Sequence, residues 1–147
     1  MLREADAVWT DGFYAGSGSV TVPSGVLTKT KYVFGIQGNN GSTSPGELLA
    51  AAIATSVSAT VARKMGELGG HPSAVTTHAT VTLNNAAEIW KITSVHLDIT
   101  AMARDREATF FEEAVELARR ECPIASELNL DVSCSSKLVP VGTPTAA

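Results

Sequence analysis

Apolar side chains first alternate with polar ones, then run together without charge, then alternate again, and this change of rhythm sets the order of elements. Residues 5–10 carry Val8 and Trp9 and close on the Asp11-Gly12 turn signal, which predicts a first strand. Val20 and Val22, after Gly16-Ser17-Gly18, predict a second. In residues 26–36 Thr and Lys alternate with apolar residues, the third strand of a meander, and the Gly/Asn run at 38–41 is a loop. Residues 44–70 read as one long helix: Ser44 as N-cap, Pro45 where a missing N–H costs nothing, Glu47 placed to reach back to the Ser44 amide, and Gly69-Gly70 as the stop.

The remaining elements follow the same two periods. Val75, Thr77, Ala79, Val81 and Leu83 share one face of a strand and Thr76, His78, Thr80 and Thr82 the other. Residues 84–87 form a hairpin connection, and residues 89–102 return with Val95, Leu97 and Ile99 inward and His96, Asp98 and Thr100 outward. A second helix covers about residues 108–120, with Phe111, Ala114, Val115 and Ala118 at core spacing and Thr109 with Glu112 as a capping box. Cys122-Pro123 ends it and opens a short helix to Leu128; residues 130–139 make the last strand. The order βββαββαβ, with hairpin-connected strands set apart from the helices, predicts an α+β fold with antiparallel sheets. Residues 1–139 form one domain, and 140–147 a disordered tail.

The long helix is the element the others must serve. From Leu48 to Ala62 no residue is charged, and the polar side chains are the small hydroxyls of Thr55, Ser56, Ser58 and Thr60. Such a helix has no solvent face and must be buried on nearly all sides. Its uncharged run rises only ~22 Å, short of the ~30 Å of a hydrocarbon core, and it is rich in Ala, which argues against a membrane span. A chain of 147 residues is short for sheathing it alone, so a second subunit is a natural cover.

Composition narrows the function classes. A net charge of −4 with scattered Lys and Arg speaks against nucleic acid. The first residues hold two acids and no apolar core, so a secretory signal is not expected and a cytoplasmic location is. Two cysteines make no disulfide framework, and His71, His78 and His96 lack metal-ligand spacing; neither metal nor cofactor is expected.

Cys122 is the most suggestive side chain, since a short helix beginning at Pro123 would point amides at its sulfur and favour a thiolate; the other reading is a buried Cys acting as a small hydrophobe. Arg119 and Arg120 lie one turn back, at positions facing solvent. Ser56 sits mid-helix with no base at i±3 or i±4, so a hydroxyl bonded to the carbonyl one turn back outweighs a nucleophile, and a Ser56 hydrolase ranks last. Glu47 is explained by capping Ser44, with a catalytic carboxylate as the alternative. Cys134 alternates toward the core with Val132 and Leu130.

Taken together, Ala7-Val8-Trp9, Gly16-Ser17-Gly18-Ser19-Val20, Ser24-Gly25-Val26-Leu27, Thr43-Ser44-Pro45-Gly46-Glu47-Leu48-Leu49 and Glu121-Cys122-Pro123-Ile124-Ala125 resemble the osmotically inducible protein C and organic hydroperoxide resistance (OsmC/Ohr) family over about residues 5–139. The resemblance implies an intertwined homodimer, with antiparallel sheets wrapped around paired central helices. It also implies peroxiredoxin-like thiol chemistry against organic hydroperoxides in an oxidative-stress role. In that chemistry a peroxidatic thiolate attacks the peroxide oxygen, becomes a sulfenic acid, and is closed into a disulfide by a resolving thiol.

By the same resemblance Cys122 holds the resolving position, while the peroxidatic position holds Ser56. The helper carboxylate after the proline is replaced by Gly46. Glu47, one residue on, lies about 180° around the helix from Ser56, where position 46 lies about 80° away. The activating Arg position corresponds to Gln37. The resemblance therefore implies impaired two-cysteine chemistry, with a small hydrophobic molecule as ligand. The alternative is an active thiol-dependent reductase of organic peroxides, with Cys122 as sole reactive thiol or Ser56 an engineered replacement.

Overall fold

The computed structural model describes residues 1–34 and 41–142. Gln37 and residues 143–147 lie outside that range, and with them the activating-Arg position and most of the expected tail. The chain divides into two compact units, Met1–Leu48 and Leu49–Ala147.

In the first unit β1 (Asp6–Thr10), β2 (Ser17–Thr21) and β3 (Thr30–Tyr32) form an antiparallel sheet in the order β1-β2-β3. The turn expected at Asp11-Gly12 is extended by a four-residue helix, α1 (Gly12–Ala15), on which Trp9 Nε1 donates to the Gly12 carbonyl at 2.8 Å. The expected third strand is cut to three residues because the chain turns through residues 22–29. Gly25 takes a φ of 78°, its amide bonds the Val22 carbonyl at 3.0 Å, and Lys29 follows at 48°. Gly18 faces both Trp9 and Tyr32 in register, and the two rings meet at 5.7 Å. A Cβ on Gly18 would overlap the Tyr32 ring, so a missing side chain is what lets the aromatic pair close.

The long helix, α2 (Pro45–Glu67), starts as its sequence says: Ser44 Oγ accepts the Glu47 amide at 3.2 Å. All but its first turn belongs to the second unit. There β4 (Ala74–Ala86), β5 (Ile89–Ala103) and β6 (Val132–Pro140) form a sheet in that order, with α3 (Ala108–Glu121) between the last two strands. β4 and β5 are antiparallel through a two-residue turn, with Ala87 and Glu88 both left-handed at φ 53° and 64°, the hairpin geometry that follows strand twist. β6, however, pairs with β5 in parallel, departing from an all-antiparallel sheet. The α3 crossover makes this possible, since a parallel neighbour requires a long connection. β6 also takes in Pro140, where the tail was expected to begin.

One face of β5 supplies the floor of the core through Val95, Leu97, Ile99, Ala101 and Ala103. Onto it pack Ile53, Val57, Val61 and Met65 of α2 and Phe111, Ala114, Val115 and Ala118 of α3. The α2 residues follow i, i+4 spacing, one stripe of the helix. Ala51, Thr55 and Ala59 on other sides remain exposed. By length and composition alone α2, at a mean hydropathy of 1.3, could cross a membrane, a test that core helices of soluble proteins also pass.

Thr109 and Glu112 do not cap α3. A 3₁₀ turn, Asp105–Glu107, precedes the helix, and the buried Glu107 carboxylate accepts from Arg104 Nη2 at 2.6 Å, Nε at 3.1 Å and the Arg104 amide at 3.2 Å. The Arg104 side chain holds the Glu107 carboxyl below its ordinary value of 4.5, against the opposing push of desolvation.

Two outcomes are expected. Gly18→Ala should lower stability by about 1–3 kcal/mol in urea titrations, and combining it with Tyr32→Ala should cost less than the sum of the two. A carboxyl held low in the folded state adds stability above its unfolded pKa and loses it as pH falls through the folded one. Glu107→Gln should therefore flatten the decline in denaturation midpoint between about pH 5 and 3.

Candidate functional site

Ser56 and Cys122, 66 residues apart in sequence, meet in the second unit with Oγ and Sγ 3.2 Å apart. α2 presents Ser56 one position before the buried Val57, at the edge of the stripe that packs on the core. α3 delivers Cys122 as its C-cap: the Cys122 amide still bonds the Ala118 carbonyl at 2.9 Å, and the residue then turns extended at φ −63° and ψ 119°, as a residue before proline must. The sulfur is fully buried, and the thiol is free.

Two expectations about these residues change. The hydroxyl of Ser56 faces the thiol instead of its own helix. The back-bonds along this stretch are made by its neighbours, with Thr55 Oγ1 donating to the Ala51 and Ala52 carbonyls at 2.9 and 3.1 Å and Thr60 Oγ1 to the Ser56 carbonyl at 2.8 Å. The expected short helix after Cys122 is absent: residues 123–127 are turns, held where Ser126 donates its amide and its hydroxyl to the Cys122 carbonyl at 3.0 and 2.6 Å. Cys122 thus sits at the carbonyl end of α3, where a helix favours cations, and not at an amide end that would favour a thiolate.

The other described candidates make contacts of their own. Glu47 belongs to the first unit, where its carboxylate accepts from Thr43 Oγ1 at 3.0 Å. Arg119 and Arg120 are exposed, as their spacing predicts, and Arg119 leans on Glu116 at 3.5 Å. Cys134 packs against the core from β6, and burial pushes its thiol up. Among the described residues no His, Asp or Glu side chain bonds Ser56, which leaves the hydroxyl without a base.

The histidines lie on the surface, yet one is less isolated than its spacing suggests. On the outer face of the sheet His96 Nδ1 lies 2.7 Å from Ser133 Oγ, and its Nε2 lies 3.3 Å from Asp98, which Ser135 also bonds. The hydrogen bond from Ser135 is the main cause holding the Asp98 carboxyl below its ordinary range. Outward positions on β5 and β6 carry this cluster, but it becomes visible only with the parallel register that sets His96 beside Ser133 and Asp98 beside Ser135. No group of three or more metal-ligating side chains occurs among the described residues.

Residues 38–136, which carry both Ser56 and Cys122, match the family model of OsmC-like proteins. The chain belongs to the OsmC-like family. Over 138 residues it is 28% identical to the peroxiredoxin OsmC of Escherichia coli strain K12 and, equally, of Shigella flexneri, covering 92% of this chain and 96% of each relative. Among solved structures it resembles an OsmC-like protein of unknown function from Vibrio cholerae, with a TM-score of 0.77 at 15% identity over 93% of this chain and 99% of that one. It also resembles the organic hydroperoxide resistance protein OhrB of Bacillus subtilis, at 0.68 and 23% over 91% and 98%. These likenesses establish the OsmC-like α+β fold.

Proposed function

We propose that this chain is an OsmC-like protein of the oxidative-stress response whose two-cysteine hydroperoxide chemistry is impaired, and which keeps a role in binding a small hydrophobic molecule. One contact carries the reading. Where a peroxidatic sulfur would face a resolving one, the Ser56 oxygen stands 3.2 Å from the Cys122 sulfur. A hydroxyl without a base is scarcely ionised at neutral pH and has no sulfenic state, so the thiol pair that would give two electrons to the peroxide, and the disulfide left when it does, cannot form.

The second reading makes Cys122 the sole peroxidatic thiol, resolved by an external thiol or reductant. It is supported by the free state of Cys122 and opposed by its complete burial. In both readings the working unit is a cytoplasmic homodimer. The uncharged outer side of α2, with Ala54, Ser58, Ala59 and Ala62 lining an open groove of about 560 Å³ beside β4, is the surface a second copy would cover.

Wild-type protein should reduce cumene hydroperoxide no faster than a Cys122→Ala control, whereas Ser56→Cys should form an internal disulfide with Cys122 on oxidation and turn over peroxide with a dithiol reductant. A wild-type rate matching that of Ser56→Cys would overturn the reading. Light scattering should give twice the chain mass for wild type, and Ala59→Arg should shift it toward the monomer.

A further inference from the structure

On the outer face of the second unit's sheet, the base that Ser56 lacks stands beside another serine. His96 and Asp98 are two residues apart on β5, so both side chains leave the same face. The parallel register sets Ser133 of β6 beside His96 and Ser135 beside Asp98. The imidazole therefore lies between a hydroxyl and a carboxylate, with Nδ1 2.7 Å from Ser133 Oγ and Nε2 3.3 Å from Asp98 Oδ1. Ser135 Oγ donates to the same Asp98 oxygen and fixes the carboxylate.

These contacts decide where the protons sit. The Asp98 carboxyl, held below its ordinary range chiefly by the Ser135 bond, is ionised at neutral pH and can only accept. In the neutral ring Nε2 then carries the hydrogen, and Nδ1 offers its lone pair to the Ser133 hydroxyl. This is the sequence of nucleophile, base and orienting acid, with the two ring nitrogens exchanged relative to the usual serine hydrolase. The cluster is also reachable: the His96 and Asp98 side chains are 44% and 52% exposed, and Ser133 is exposed.

We propose that Ser133 is the nucleophile of an esterase site for small activated acyl esters, with His96 as its base and Asp98 as the positioning residue. Ser133 Oγ bonds to the carbonyl carbon as its proton passes to His96 Nδ1; the bond to the alcohol oxygen breaks, and that oxygen takes the proton. Water then repeats the exchange: its proton goes to Nδ1, its oxygen bonds to the acyl carbon, and Ser133 Oγ departs with the proton as a carboxylic acid is released. An open site leaves the oxyanion to solvent, which restricts the reaction to esters whose alcohol leaves readily. The site uses neither the thiol nor the hydrophobic ligand of the reading above.

Hydrolysis of p-nitrophenyl acetate by the full chain tests it. Wild type should release p-nitrophenol catalytically, and peptide mapping after an acid quench should find the trapped acetyl group on Ser133. Ser133→Ala and His96→Gln should each slow the release about tenfold or more. These side chains lie on the surface, so the variants should keep the wild-type circular dichroism and melting temperature. Asp98→Asn should lower the pH at which release is half-maximal, because the imidazolium loses its carboxylate. The other charged or titratable side chains on this face, His78 opposite Asp98 on β4 and Lys137 beyond Ser135 on β6, stay as they are. A merely structural Asp98 would leave that midpoint in place, and the positioning role would fall. Release undiminished in Ser133→Ala or in His96→Gln, or acetyl groups found only on lysines, would overturn the proposal. Peroxide turnover plays no part in these outcomes.

Discussion

An uncharged helix has to be covered, and that requirement organises the rest of the structure. α2 offers water no charge from Leu48 to Ala62, yet its own chain buries only Ile53, Val57, Thr60 and Val61 within that stretch. The buried stripe explains why β5 is the most deeply buried strand and why α3 lies where it does, since both present apolar faces to the same row of side chains. The open sides, small and rich in Ala, remain apolar surface at which another body can approach closely. The same helix brings Ser56 to Cys122, so packing and candidate chemistry depend on one element.

Periodicity made most of this legible. The alternation in β4 and β5 assigned faces that the structure keeps as far as the register shift at Thr82/Leu83: Val75, Ala79 and Val81 pack on the core while Thr76, His78 and Thr80 are exposed, and Leu83, expected to share the inner face, is exposed beyond that shift. The α3 positions Phe111, Ala114, Val115 and Ala118 are all buried. Pairing direction was not legible, because a strand's own pattern is the same whether its neighbour runs parallel or antiparallel. The parallel β5–β6 register, and with it the His96–Ser133 contact, depends on where the α3 crossover returns the chain. The shortened β3 has a comparable cause, with turn geometry at Gly25 and Lys29 overriding an alternation that suited a longer strand.

For the candidate site, the motif around Cys122-Pro123 drew attention to Cys122 for a reason the structure alters. Pro123 was expected to open a helix and set amides on the sulfur; it ends α3 and starts a run of turns instead. What singles out Cys122 is the contact across to Ser56, which needs two elements 66 residues apart and no local signal. At the meeting point an oxygen from α2 and a sulfur from the end of α3 share one hydrogen bond.

Full burial of Cys122 also governs how long its thiol survives. A sulfur with no solvent contact meets a dissolved oxidant only while the packing around it opens locally. While opening is rarer than reaction, loss of the thiol follows the frequency of that local breathing and hardly registers which oxidant is waiting outside.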